Sequence, residues 1–460
     1  MAKRHLLMLG LLLGGGALSS AACSDTKIVT IGDGDAGEAG DTGSHAGSGN
    51  AGSGHAGSGN AGSSNAGTGN ATGDAGANSD GGVAGVGGEG GEGGEAPFVF
   101  PDALNPQGVI VVGAAPATST HLLVGAKDYK TKGEIVSITL ASGAIGDTTT
   151  YDDGDIVPVS SAGLGFAVGR KSDKVHLLNG GKISKTFDLK DLGTNTAVVG
   201  TKAYVPLYNQ SLIVVLDVTA GTISHRIDLN EFNAPGDSDH SADIAEGVYD
   251  ATNNIVYFLL QRIDLNSYDA NFNLPCSKNP GLIVGIDTMT DAVVDLNGSA
   301  EGNAIELKLV NPRSLSVNAD GTALYMLAEG CYEGSQKTHR GVEVVDLTED
   351  GETTVVYQAP GTDYLASMIR TTGAQALIES QDANYVTHWN KFEIGATLGA
   401  EIANVPEGVS FDGTDLVGVK VTGTVGAVVR YKLATETSTV ISATSWAGDY
   451  SFGIGTALVQ

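Results

Sequence analysis

From Phe98 to the C-terminus, short apolar runs rich in Val, Ile, Leu and Tyr alternate with clusters of Gly, Asp, Asn and Thr. The runs recur every ~10 residues, and no stretch keeps a helical apolar period over three turns or more. Runs of that length bounded by turn-forming residues predict β-strands, and their even spacing predicts an all-β sandwich, barrel or propeller. Residues 98–460 are too many for one ordinary sandwich, which points to internal repetition.

One unit recurs: an apolar strand, a loop, a second apolar strand, an acidic or polar turn, and a third strand. It reads LLVGAK (122–127) with GEIVSITLASGAI (133–145), GFAVGR (165–170) with DKVHLLNGGKI (173–183), and AYVPLY (203–208) with SLIVVLDVTAGTI (211–223). It returns as VYFLLQ (256–261) with GLIVGIDTMTDAV (281–293), and as LYMLAE (324–329) with GVEVVDLTEDGET (341–353). The last copies are ALIESQ (376–381) with THWNKFEIGATL (387–398), and LVGVK (416–420) with GAVVRYKLATETS (426–438). Leu123, Phe166, Tyr204, Tyr257, Tyr325, Leu377 and Leu416 anchor the seven copies.

Asp217, Asp287 and Asp346 fall at the same point, after the second strand, where a carboxylate can accept the next backbone amides and set a tight turn. The leading strands are apolar on both faces, as sheets buried between neighbouring sheets require, and radial stacking of four-stranded sheets meets that need. The expectation is a seven-bladed β-propeller over residues 98–460. Eight blades are the alternative, because Ser445–Gln460 and Val109–Ala115 can be closing strands or parts of another blade. Thr201–Leu229 (TKAYVPLYNQSLIVVLDVTAGTISHRIDL) resembles the YVTN/YncE-type propeller repeat, and GLIVGIDTMTDAV follows the same pattern. That resemblance implies a propeller scaffold of exported bacterial proteins, usually used for binding; architecture alone does not assign an activity.

The N-terminus reads as processing signal. Lys3 and Arg4 precede the apolar run Leu6–Leu13, and Ser19-Ser20-Ala21-Ala22 supplies small residues for cleavage, giving a signal peptide over 1–22. The run is too short to span a bilayer. The small residues lead into Cys23, which resembles the bacterial lipobox, although Ser20 stands where leucine is usual. The resemblance implies an acylated N-terminal cysteine, and Ser24 after it matches lipoproteins sent to the outer membrane, on its periplasmic face or at the cell surface. Acyl chains would make the attachment effectively permanent. Residues 33–96 are nearly all Gly, Ala, Ser, Asn, Thr and acids, with repeated AGSGN and AGSGH units, so 23–97 is expected to be a disordered tether spanning roughly 45 Å. The membrane is expected to be met through the lipid alone.

A net charge of −28 argues against nucleic acid and against electrostatic docking on anionic lipid. A monomer is expected. Of the three cysteines, Cys276 and Cys331 remain once Cys23 is set aside, and an oxidising compartment predicts that they pair. They lie in the longest insertions, Arg262–Pro280 and Gly330–Arg340, which follow equivalent strands and so share one rim.

Chemistry is harder to find. There is no His-Glu-x-x-His, Cys-x-x-Cys, Gly-x-Ser-x-Gly or phosphate loop in the domain. Asp237, Asp239 and Asp243, with Glu246 nearby, offer oxygen ligands for calcium, the one cofactor considered; lacking the glycine of an EF-hand loop, they read equally as a solvated insertion. Four residues after each anchor lie Lys127, Arg170, Tyr208, Gln261, Glu329, Gln381 and Lys420, a polar ring on the insertion-bearing rim. Arg262, His339 and Arg340, with Tyr129, Tyr268, Tyr332, Tyr385 and Trp389, join them from adjacent loops as a candidate ligand-binding rim.

The expected function is therefore a non-enzymatic, lipid-anchored binding module for a small ligand or an envelope protein. Analogy suggests a TonB-dependent outer-membrane receptor as partner. A propeller lactonase or hydrolase with calcium in the central channel is one alternative, and a structural or adhesive surface protein is another. A deep axial pocket would count against adhesion, and a channel plugged by apolar side chains against the enzyme.

Overall fold

The computed structural model describes residues 119–460, except 129, 192–196, 270–272, 277–278, 299–302, 362, 373–374, 383, 385, 396–397, 423–424 and 446–453. The signal peptide, Cys23, the tether, Val109–Ala115, Tyr129 and Tyr385 lie outside the described residues.

Strands in the described part pair antiparallel into seven sheets whose main path has four strands, named A to D from the axis outward. Blade 2 runs Ile156–Ser161, Leu164–Gly169, Lys174–Asn179 and Lys182–Asp188; blade 3 runs Ala197–Val199, Lys202–Leu207, Leu212–Asp217 and Thr222–Asp228. Blade 4 is Ile244–Asp250, Ile255–Leu260, Leu282–Asp287 and Ala292–Val294, and its strand C also pairs Ile305–Glu306. Blade 5 is Pro312–Val317, Ala323–Ala328, Gly341–Asp346 and Glu352–Gln358, with a hairpin of Cys331–Glu333 and Gln336–Thr338 between strands B and C. Blade 6 is Tyr364–Thr372, Gln375–Gln381, Thr387–Glu393 and Leu398–Ile402; blade 7 is Glu407–Phe411, Leu416–Thr422, Val425–Lys432 and Thr437–Ser445.

Blade 1 is composite. Its strands B to D are His121–Lys127, Gly133–Thr139 and Ile145–Tyr151, but its strand A is the C-terminal Ile454–Val459. The register runs from His121↔Val459 to Ala126↔Ile454, and the Thr120 amide extends it by donating to Val459 O at 3.0 Å. The Gln460 amide donates to Gly163 O in blade 2, also at 3.0 Å. This closure decides the count: Ile454–Val459 completes the first sheet, so there are seven blades and not eight.

The seven anchor residues lie on or beside strand B, not on the innermost strand as the repeat pattern suggests. The axis is lined by the runs preceding them, and strands A of successive blades pack on one another (blades 7, 1 and 2; blades 4, 5 and 6). Those runs are shorter or bulged and interrupted by polar residues, which hides them beside the cleaner B and C strands.

Alternation explains the apolar B strands. All six residues of Lys202–Leu207 are buried. Ala203, Val205 and Leu207 pack towards Phe166, Val168 and Val175 of blade 2. Tyr204 points the other way, onto Val256, Phe258 and Val284 of blade 4. Successive side chains face opposite sides of a strand, so a sheet stacked between two others must be apolar on both. The acidic turns behave as the sequence implies. Asp217 Oδ1 accepts the amides of Thr219 (2.8 Å) and Ala220 (2.7 Å), Asp287 Oδ1 those of Met289 and Thr290 (both 2.8 Å), and Asp346 Oδ1 that of Thr348 (2.8 Å).

A chain ending at residue 453 loses the strand that closes blade 1, leaving the edge of His121–Lys127 open. Burial of Ala457 and Val459 disappears with it. Such a chain is expected to unfold at lower urea, with stability reduced by at least ~3 kcal/mol, in denaturation followed by circular dichroism. An unchanged midpoint would contradict this closure.

Candidate ligand site on the propeller axis

The ring of polar residues four positions beyond the anchors falls where strand B ends and the chain entering the next blade passes by. Most of it is turned inward. Lys127, Arg170, Tyr208, Gln261, Arg262, Arg340 and Gln381 are buried, the Glu329 side chain is 12% exposed, and Lys420 and His339 are exposed. Lys127 Nζ donates to Asp155 Oδ1 (2.5 Å) on the entry to blade 2, with Arg170 Nη1 4.0 Å from the same oxygen. Burial pushes the Asp155 carboxyl up, but the Lys127 and Arg170 charges outweigh it and hold the group below its ordinary range.

A longer chain of contacts crosses three blades. Tyr208 Oη donates to Gln261 Oε1 (2.9 Å), and Gln261 Nε2 to Asn311 Oδ1 (2.9 Å) and Pro312 O (3.1 Å). Asn311 Nδ2 then donates to Glu329 Oε2 (3.0 Å), which with Oε1 also takes Arg313 and Lys337 at 2.6 Å each. Arg340 Nη1 reaches Gly361 O at 2.8 Å and its Nη2 donates to Asp363 O, on the way into blade 6. Gln381 Nε2 makes a 3.4 Å contact to Thr387 Oγ1. Lys127, Tyr208, Gln261 and Arg340 thus join one blade to the next, whereas Glu329 and Gln381 bond within their own blades.

Cys276 and Cys331 form a disulfide, as expected from the sequence. It ties the B–C loop of blade 4 to the B–C hairpin of blade 5, helped by backbone bonds from Cys276 N to Tyr332 O (3.1 Å) and from Tyr332 N to Leu274 O (2.8 Å). Asp237, Asp239 and Asp243 converge in the loop entering blade 4, with one carboxylate oxygen of each within 4.8 Å of the others.

The feature that the sequence reading missed lies on the axis. A cavity of about 300 Å³ is lined by the A strands of six blades. Each contributes a polar side chain: Thr456 from blade 1, Ser160 from blade 2, Glu246 from blade 4, Ser314 from blade 5, Ser367 from blade 6 and Ser410 from blade 7. Met368, Ile369, Val409, Phe411 and Leu458 of the same strands, with Trp389 of strand C in blade 6, complete the lining.

Bulges account for the lining contributed by blades 4 to 7. Strand A slips register against strand B between Ile244 and Glu246, Arg313 and Leu315, Leu365 and Ser367, and Glu407 and Ser410. A bulge removes amides from the ladder and re-aims side chains. The neighbouring blade then takes up the freed amides: Leu315 N donates to Glu246 Oε2 (3.0 Å) and Met368 N to Ser314 Oγ (3.1 Å). At the seam, Ser410 Oγ lies 2.8 Å from Thr456 Oγ1. Behind the wall, Ser367 Oγ donates to Glu379 Oε2 at 2.7 Å. Glu379 is fully buried, and that burial pushes its carboxyl up to about 7, against the smaller lowering by the Ser367 hydroxyl.

The cavity therefore offers hydroxyls and a carboxylate interspersed with aromatic and apolar side chains. No histidine or cysteine is among the described residues that line it, so none of its hydroxyls has a neighbouring base of that kind within the lining. For Ser160, Glu246, Ser314, Ser367 and Ser410 the sequence signal is a polar residue inside the run ahead of the anchor. A second cavity of about 380 Å³ opens beside Arg262, Glu306 and Thr353. Residues 299–302, next to its lining residues Asn297 and Ala304, lie outside the described residues, and no site is assigned there.

The sequence matches no protein-family model, and no curated protein matches it. Solved structures do resemble the domain. The β-propeller domain of Cps50 (Swd1) from Myceliophteria thermophila aligns over 74% of this chain and 99% of its own, at 11% identity and a TM-score of 0.46. Hydrazine synthase from Kuenenia stuttgartiensis aligns over 75% and 99%, at 12% identity and 0.45. BamB from Moraxella catarrhalis aligns over 77% and 94%, at 13% identity and 0.39.

Two outcomes are expected from this geometry. Folded Glu379 holds its proton more tightly than the unfolded chain, so stability falls as pH rises between about 4.5 and about 7. Glu379→Gln should remove that slope, leaving the variant more stable than wild type by up to ~3 kcal/mol above pH 7 and equal to it near pH 4.5, in urea titrations across pH. Replacing both Cys276 and Cys331 by alanine opens a loop closed over 55 residues. The unfolding free energy should drop by ~2–4 kcal/mol with the far-ultraviolet spectrum unchanged.

Proposed function

We propose that this protein is a lipid-anchored, extracytoplasmic β-propeller that binds a small organic ligand in its axial cavity. The observation that carries the proposal is that cavity: about 300 Å³, lined from six blades, with polar side chains set among aromatic and apolar ones. Its volume falls at the small end of ligand pockets, and a few convergent polar groups in an otherwise apolar concavity are what fix a ligand's orientation. An adhesive surface protein has no use for such a space.

The chemistry of the wall limits the ligand class. Ser160, Ser410 and Thr456 exchange hydrogen bonds with polar groups, while the Glu246 carboxylate disfavours an anion. The fitting ligand is small, neutral or cationic, and carries an apolar or flat portion to lie against Trp389 and Phe411. The lipobox-like Cys23 and the Gly/Ser/Asn-rich segment after it support placement at the outer membrane, with the domain free to sample its surroundings on a tether.

Native mass spectrometry of the full chain purified from envelope extract tests this reading. Wild type should carry one small-molecule adduct, and Ser410→Phe, which fills the cavity, should lack it while keeping a cooperative unfolding transition. A bare wild-type mass, or an adduct unaffected by Ser410→Phe, would overturn the assignment to the axis.

A further inference from the structure

The loop entering blade 4 holds a second site, independent of the axial one. Asp237, Asp239 and Asp243 each place a carboxylate oxygen within 4.8 Å of the other two, and Asp237 and Asp243 are 4% and 0% exposed. Part of their capacity is used locally. Asp237 Oδ1 accepts Asp239 N (3.2 Å), Asp239 accepts Ser241 N (3.1 Å) and Leu265 N (2.7 Å), and Asp243 Oδ2 accepts Ile263 N (2.9 Å).

Asp237 Oδ2 differs from these. It is shut off from solvent and has no hydrogen-bond partner among the described residues. A carboxylate oxygen in that position is costly unless something positive meets it. Asp264 adds another carboxylate from the facing loop, occupied by Ser238 Oγ (2.8 Å) and Asn266 N (3.0 Å). The nearby cation, Arg262, donates through Nη1 to Pro280 O at 3.2 Å.

We propose that Asp237, Asp239 and Asp243 bind one calcium ion. The donors are oxygen only, which selects a hard cation and excludes the nitrogen and sulfur sets of zinc. Two oxygens on one calcium, each at about 2.4 Å, can stand up to about 4.8 Å apart, and the three carboxylates fall within that limit. Calcium tolerates an irregular all-protein oxygen set, whereas magnesium demands a near-ideal octahedron and gives up its waters reluctantly. The ion would do structural work at one place. Asp239 and Asp243 already hold the amides of Leu265 and Ile263, so fixing these carboxylates also fixes the start of the loop that carries Cys276.

The experiment is a calorimetric titration of the full chain, stripped with chelator and held in potassium chloride to suppress loose counter-ion binding. The expected result is one saturable calcium site per chain, with magnesium at least about tenfold weaker. Asp237→Asn and Asp239→Asn should each weaken calcium by about tenfold or more, whereas Asp287→Asn, at an exposed turn, should not. If either variant fails to fold, limited proteolysis of the wild type decides: calcium should slow cleavage within Arg262–Pro280. Absence of a saturable site, wild-type affinity in folded variants, or a cleavage rate indifferent to calcium would each overturn the proposal.

Discussion

The pairing of Ile454–Val459 with His121–Lys127 joins the two ends of the described chain, and the axial cavity exists only because of it. Thr456 and Leu458 on the closing strand are part of the cavity wall, and Thr456 meets Ser410 across the seam. An open row of sheets would leave two exposed edges and no enclosed axis. Closure also decides what the other blades can be, since every sheet then has a neighbour on both faces and must be apolar on both.

A closed ring of greasy sheets would still slide without directional contacts. Those are supplied at two radii. Towards the axis, bulged A strands release amides that Glu246 and Ser314 accept from the adjacent blade. Farther out, residues at the ends of B strands reach the entry segment of the following blade: Lys127 to Asp155, Gln261 to Asn311, Arg340 to Gly361. Buried charges of this kind add little net stability against an apolar substitute, but they penalise any other register of blade against blade.

The repeating B and C strands were legible because both faces of each are apolar and Asp217, Asp287 and Asp346 mark the same turn. The disulfide was legible because two cysteines fell in equivalent long loops. The axial residues were not: Ser314, Ser367 and Ser410 sit in runs broken by bulges, where the two-residue period fails and a serine reads as loop. The polar ring misled in the opposite sense. Gln261 and Arg340 look like surface groups because the partners that bury them, Asn311 and the carbonyl of Gly361, come from the next repeat and cannot be paired with them by local pattern. Asp237, Asp239 and Asp243 read from sequence equally as calcium ligands or as a solvated insertion, and the burial that separates the two, with the unpartnered oxygen of Asp237, is visible only in three dimensions.

The placement of His121–Lys127 has a mechanical consequence. The residues preceding the domain join it at a strand hydrogen-bonded on both sides, to Gly133–Thr139 and to Ile454–Val459, rather than at a sheet edge. Tension arriving through that junction loads two ladders at once, so it is shared between the first blade's own hairpin and the far end of the chain.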